Sequence, residues 1–281
     1  MIQRLDKLPA VLTSFAYRSE YFPELEGMIA TVKEHHPDWP LVTGRGPVPG
    51  FSRPTLEVDS PSGKHYWTLP VRFDEEDREN EWFHIVLMKG WWMAQVWQYF
   101  GAMAGDQFNR IVWLDADGRL NGPLDIELEP EAEAFASPWW LDPGVPETEH
   151  CACSGLLIFQ GARNGVVKSI IDEWSVDCLR YMQLKPSVEL DPFPLGDQDL
   201  LTTIVKKRRG DSANYTLIQL DLYKYCGVPT MDGTRKAGAL IDQWMMSERM
   251  GLPKTHGMNW PPPEEERRGP AVMSGPAPEK S

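Results

Sequence analysis

The stretch with the clearest chemical potential is Ile111-Val112-Trp113-Leu114-Asp115-Ala116-Asp117-Gly118. Four consecutive large apolar residues are too few for a helix with a polar face and suit a strand buried on both sides of a sheet. The run ends at two carboxylates one residue apart, followed by a glycine that permits a sharp turn. In an open α/β sheet the ligand crevice lies outside the carboxyl ends of the strands, where Asp115 and Asp117 fall. Two hard oxygen ligands on a short turn suit Mg²⁺ or Mn²⁺ that already carries phosphate oxygens. Other readings meet the same residues. Asp-X-Asp-Gly also serves as an ordinary polar turn after a buried strand. A calcium loop is excluded, because Arg119, Leu120 and Ile126 stand where an EF-hand needs a polar ligand, a glycine and a glutamate. A Mg²⁺-dependent aspartyl phosphohydrolase would use Asp115 as nucleophile in an Asp-X-Asp-Gly-Thr segment. Here Arg119 takes the threonine's place and the strand lies mid-chain.

The surrounding elements must bring this turn to a sheet edge. Val11–Ala16 reads as a first strand, and Phe22, Leu25, Met28, Ile29 and Val32 mark one face of a helix that Pro37 ends. Leu41-Val42-Thr43 starts a second strand, so the chain opens as a βαβ unit, which implies a parallel sheet. A nucleotide meets such a sheet at the turn after its first strand, which nominates Tyr17 and Arg18, with Ser14, Phe15 and Ala16 at the strand end that leads into it. Tyr17 suits stacking on a base and Arg18 suits reaching a diphosphate, although a surface aromatic and a surface cation are the plain alternatives. Residues 44–82 show little periodicity and read as irregular loops with short strands such as Tyr66–Val71. Met88, Trp92, Val96 and Tyr99 share a stripe of a helix from Met88 to Phe100, which puts Lys89 at a helix start, where phosphate is favoured.

Beyond the turn, Glu127, Glu129, Glu131 and Glu133 read as a solvated loop, Phe135–Trp140 as a strand, and residues 141–149 as a flap. Leu156–Phe159 reads as a second buried strand, followed by a helix with Val167, Ile170, Ile171, Trp174, Cys178 and Met182 in register. Gly196-Asp197-Gln198-Asp199 caps a helix carrying Leu200, Leu201, Ile204 and Val205. Residues 215–223 read as a strand and Ala239–Met250 as a short helix. From Pro261 onward proline, glycine and charge dominate, so residues 1–260 form one domain and 261–281 a disordered tail.

Composition narrows the function class. The 281 residues carry a formal charge of −13, which argues against a broad nucleic-acid or anionic-membrane surface. Lys206-Lys207-Arg208-Arg209 is a local basic run, readable as a helix end opposing the macrodipole. Twelve tryptophans suit both core packing and stacking on sugar rings. Cys151, Cys153, Cys178 and Cys226 match neither a zinc site nor a disulfide framework, so a reducing cytoplasm is expected. No run of about 18 apolar residues exists to span a membrane, and no signal sequence opens the chain.

Taken in order, Lys89, the Leu-Asp-Ala-Asp strand end, Pro123-Leu124, Cys153-Ser154-Gly155, Gly196-Asp197-Gln198-Asp199-Leu200 and His256-Gly257 resemble a GT-A glycosyltransferase with a DxD motif. The pattern is similar to that of the glycogenin-like and lipopolysaccharide galactosyltransferase-like nucleotide-diphospho-sugar transferases, over roughly residues 10–260. No proline follows Lys89, Cys153 stands for an asparagine, and Met258-Asn259-Trp260 replaces Lys-Pro-Trp. The resemblance implies a single Rossmann-like mixed, mostly parallel sheet flanked by helices. It implies Mn²⁺ or Mg²⁺ held by Asp115, Asp117 and His256, and a nucleotide-sugar donor, a UDP-sugar first. Ala116, Ser154, Gly155 and Gly257 would line the donor. Asp197 and Gln198 would lie nearest the anomeric side of the reacting sugar, with retention of configuration; an inverting enzyme would need a general base, for which Asp199 or an acid of the 141–149 segment could serve. The acceptor is a saccharide, a protein or, as in phage-type enzymes, a modified DNA base.

Overall fold

The structure is a computed structural model that describes residues 2–71, 78–104, 108–140, 150–185, 196–211, 215–226 and 238–243. In chain order the strands are β1 (Gln3–Arg4), β2 (Val11–Tyr17), β3 (Leu41–Gly46), β4 (Thr55–Ser60), β5 (Gly63–Thr68), β6 (Phe108–Leu114), β7 (Gly118–Leu120), β8 (Glu127–Leu128), β9 (Ala134–Trp140), β10 (Cys151–Ala152), β11 (Leu156–Ala162), β12 (Thr216–Asp221) and β13 (Ile241–Gln243). The α-helices are α1 (Phe22–His35), α2 (Arg78–Phe100), α3 (Val166–Leu184), α4 (Asp197–Asp211) and the short α5 (Leu222–Tyr225).

Among the described residues nine strands form the main sheet, in the order β10-β9-β11-β6-β2-β3-β4-β5 with β12 also paired to β9. β2 lies parallel to both β3 and β6, and β12 parallel to β9, while β11 runs antiparallel to β6 and to β9. Followed through these pairings, β2, β3, β5, β6, β9 and β12 point one way and β4, β10 and β11 the other. This is the expected mixed, mostly parallel α/β sheet flanked by helices, opening on the expected βαβ unit.

Period-2 alternation divides the core between the two faces. Phe15, Trp113, Leu157 and Phe159 face α2, α3 and α4. Leu12, Val112, Leu114, Leu156 and Ile158 face α1 and its neighbours. Because both faces are covered, β2 is buried along its whole length, which explains its unbroken apolar character. Gly90 lets α2 press onto α3, since a Cβ there would sit 3.2 Å from both the Ser175 Cα and the Trp174 carbonyl.

Several expectations are corrected. α2 begins at Arg78, so Lys89 lies in mid-helix rather than at a helix start. Tyr99 is 60% exposed, and Trp97 and Phe100 share the buried face with Met88, Trp92 and Val96 instead. The region read as loops holds the β4–β5 hairpin, whose second strand is Gly63–Thr68 rather than Tyr66–Val71. Glu133 is not in a solvated loop: it accepts the backbone N–H groups of Ala162 (2.8 Å) and Val167 (2.9 Å) at the entry to α3. Where a helix from Ala239 was expected, Ile241–Gln243 forms β13, antiparallel to β7. His256, Gly257, the 141–149 segment and the tail fall outside the described residues.

Candidate active site

Lys89, Asp115, Ser154 and Asp197 come together outside the end of β6. Each arrives on a different element: mid-α2, the turn after β6, the turn before β11, and the first residue of α4. Lys89 Nζ lies 2.9 Å from Asp115 Oδ1 and 3.2 Å from Asp197 Oδ2. It also donates to Ser154 Oγ at 3.0 Å and to the Ser154 carbonyl at 3.2 Å. The ammonium is therefore fully occupied and buried, with its residue 7% exposed. Burial pushes its pKa down, but the charges and hydrogen bonds of Asp115 and Asp197 outweigh this and raise it. Burial raises the carboxyl pKa of Asp197, while Lys89 beside it and a hydrogen bond with Ser154 act in the opposite sense.

The scaffold around the cluster is rigid. Asp115 N–H donates to the Gly155 carbonyl at 2.9 Å, locking the aspartate turn to the Ser154-Gly155 segment. Gly118 N–H closes that turn on the Asp115 carbonyl at 2.8 Å. Arg119 braces it from below, donating to the Ala116 and Gly118 carbonyls and pairing with Glu24 of α1 at 2.6 Å. Gly27 permits this, because a Cβ there would meet the Arg119 guanidinium at 2.4 Å. The Trp174 indole of α3 donates to the Asp197 carbonyl at 2.9 Å, and Ala152 N–H to Thr202 Oγ1 of α4 at 3.0 Å, so α4 is fixed from both sides.

The remaining sequence candidates take varied places. Asp199 Oδ2 accepts the Gly196 N–H at 2.8 Å, a helix-start cap, and burial raises its pKa against that bond. Gln198 is half-buried beside it, and its carbonyl accepts from Thr202 Oγ1 at 2.6 Å. Ser14, Phe15, Ala16 and Tyr17 are all buried in β2. Arg18 follows with φ 77°, a left-handed conformation that costs a non-glycine residue about 1–3 kcal/mol. Its guanidinium is bound by Glu81 of α2, with Nε 2.7 Å from Oε2 and 2.8 Å from Oε1. Of the basic run in α4, Lys207 and Arg208 pair with Glu173 of α3, and Lys206 donates to the His150 carbonyl.

Sequence reasoning missed Glu81, Trp174, Thr202 and the bracing role of Arg119. It also missed Trp113, whose Nε1 donates to Asp115 Oδ1 at 2.7 Å. Strand periodicity carries that last signal, since residues two apart share a face.

As a setting for a divalent cation, the turn offers hard carboxylate oxygens on a braced backbone, the donor chemistry that Mg²⁺ and Mn²⁺ prefer. No group of three or more ligating side chains is assembled among the described residues, and the third expected ligand, His256, lies outside them. Among the described residues no helix is long and apolar enough to cross a membrane.

No protein-family model matches the chain, and no curated protein matches it. Among solved structures it is similar to a glycosyltransferase involved in the glycosylation of the major capsid of PBCV-1, at 12% identity and TM-score 0.42, covering 78% of this chain and 85% of that one. It is also similar to the apo-form glycosyltransferase GlyE of Streptococcus pneumoniae TIGR4, at 10% identity and TM-score 0.35, covering 77% of this chain and 46% of that one.

Proposed function

We propose that this chain is a metal-dependent GT-A glycosyltransferase that moves a sugar from a UDP-sugar to an acceptor with retention of configuration. The observation that carries the reading is the convergence of Lys89, Asp115, Ser154 and Asp197, each from a different segment of the sequence resemblance, into one ion-paired cluster. A polar turn without function gives no reason for a buried lysine and a buried aspartate to be gathered behind it, at the cost of desolvating both.

In this reading Asp115 and Asp117, joined by His256, hold Mn²⁺ or Mg²⁺, which when bound supplies Lewis-acid neutralisation of the leaving diphosphate. β13 returns the chain to the aspartate turn, its register setting Gln243 opposite Gly118. Lys89 holds Asp115 and Asp197 in fixed orientation, so the acids need no reorganisation when charge develops nearby. Asp199 is engaged as a cap and Asp197 is buried against Lys89, which leaves the half-buried Gln198 as the group of this helix start to face the sugar, while Ser154 and Gly155 line the donor. The strained Arg18, aimed by Glu81, sits at the end of β2 where a diphosphate would approach.

The test is nucleotide release from a panel of nucleotide sugars with Mn²⁺, in the wild type and in D117A and D197N. UDP release that both variants lose is the expected result. Phosphate release from simple esters, with no attack on any nucleotide sugar, would replace this reading with the phosphohydrolase one.

A further inference from the structure

We infer that Trp113 is a positioning residue of this site, its indole fixing the Asp115 carboxylate against Lys89 in the orientation that receives a divalent cation. The inference rests on the metal-dependent reading above. Trp113 and Asp115 stand two residues apart at the end of β6, on the face covered by α2. Asp115 Oδ1 receives two donors at once, the Trp113 indole N–H at 2.7 Å and the Lys89 ammonium at 2.9 Å. The ammonium also stands 5.1 Å over the Trp113 ring, so one side chain holds both partners of the ion pair.

The ring is itself fixed. It meets Phe15 of β2 edge-on at 5.6 Å, and Phe15 in turn meets Trp92 at 5.3 Å, whose Nε1 donates to Thr13 Oγ1 at 2.8 Å. An aromatic chain therefore runs from the strand nominated for the nucleotide to the carboxylate nominated for the metal. Two donors on one oxygen stop the carboxylate from rotating and set the direction of its remaining lone pairs. A phenylalanine in this place would pack against Phe15 but could not hold Oδ1.

W113F separates these roles, since it keeps a ring and removes the N–H. Mn²⁺ binding to the full chain, read by electron paramagnetic resonance, should weaken about tenfold or more, as when the hydrogen-bond partner of a metal ligand is removed. The thermal midpoint should stay within about 5 °C of the wild type. In ¹⁵N-labelled protein, the indole resonance absent from W113F should move in D115N. Unchanged Mn²⁺ affinity in W113F, alongside its loss in D117A, would overturn the inference. If the wild type binds no Mn²⁺, the metal reading fails on its own. The indole resonance then decides whether Trp113 holds Asp115: movement in D115N supports it and a stationary peak refutes it.

Discussion

Replacing Lys89 by methionine removes the ammonium and keeps much of the volume, so its effect falls on the two carboxylates. Asp115 has a side chain 26% exposed and retains the Trp113 indole, so it keeps a donor and access to water. Asp197, with a side chain 4% exposed, keeps its hydrogen bond with Ser154 among the described residues and must stay charged in a dry site or take up a proton. At 3.2 Å and an effective dielectric of 20, the lost attraction is about 5 kcal/mol before desolvation of the lysine is credited back. Protonation sets a ceiling on this. Neutralising a carboxyl whose ordinary pKa is 3.8 costs about 4 kcal/mol at pH 7 and under about 2 kcal/mol at pH 5.

The sign follows from linkage. A folded-state carboxyl pKa above its unfolded value stabilises fully below the unfolded value and loses that contribution as pH rises through the folded one. K89M should therefore be about 3–4 kcal/mol less stable than the wild type at pH 7 and recover about half or more of the deficit at pH 5. Urea unfolding of the wild type, K89M and K89M/D197N at both pH values measures this, with the double variant restoring stability at pH 7. A K89M protein within about 1 kcal/mol of the wild type at pH 7, or one that D197N does not rescue, would refute the buried ion-pair account.

Other outcomes follow from the same geometry. D117A should abolish Mn²⁺-dependent binding of the donor while circular dichroism stays native, since the residue lies at a strand end; calorimetry reads both UDP and metal. Gly90→Ala should destabilise by about 1–3 kcal/mol on denaturant unfolding, because the new methyl meets backbone atoms of α3 that have no rotamer to escape into. His36 Nε2 accepts the Leu124 N–H at 3.0 Å, and burial lowers its pKa to about 4. It favours the neutral ring, so its contribution of about 2–3 kcal/mol is complete above pH 6.5 and disappears as pH falls towards 4. His36→Gln, which can still accept that N–H, should flatten acid unfolding over this window.

What could be read from the chain follows where local patterns are strong. The apolar runs Ile111–Leu114 of β6 and Leu156–Phe159 of β11, the α3 stripe from Val167 to Met182, and the opening βαβ unit were legible because burial on both sides leaves unbroken hydrophobic runs or clean 3.6-residue spacing. The start of α2 was not, because the polar run Arg78-Glu79-Asn80-Glu81 looks like a loop until Glu81 is seen bound to Arg18. The misplaced helix start gave Lys89 a phosphate-binding role, whereas tertiary packing turns the side chain onto two acids. Candidate site residues are nominated by segment order, but their partners Trp174, Thr202 and Glu81 come from other elements and carry no local signal. The β4–β5 hairpin escaped for a different reason: β5 is an edge strand whose inward positions, His65 and Trp67, are only half-buried and whose outward ones include Tyr66, so its alternation is weak in hydrophobicity.

The pairing of β13 with β7 gives the aspartate turn a history as well as a geometry. Leu120 and Ile241 are partners across 121 residues of chain. At a synthesis rate of about 5–20 residues per second, the ribosome takes about 6–24 s to deliver the second after the first. Through that interval β2, β3 and β6 can already pair, because all three have emerged, while β7 has no strand to hold it. The last step in building the centre is therefore late and non-local. A ribosome stalled shortly before Ile241 would carry a nascent chain with the sheet's middle formed and the Asp115–Asp117 turn bordered by an unpaired strand, open to chaperones and to proteases alike.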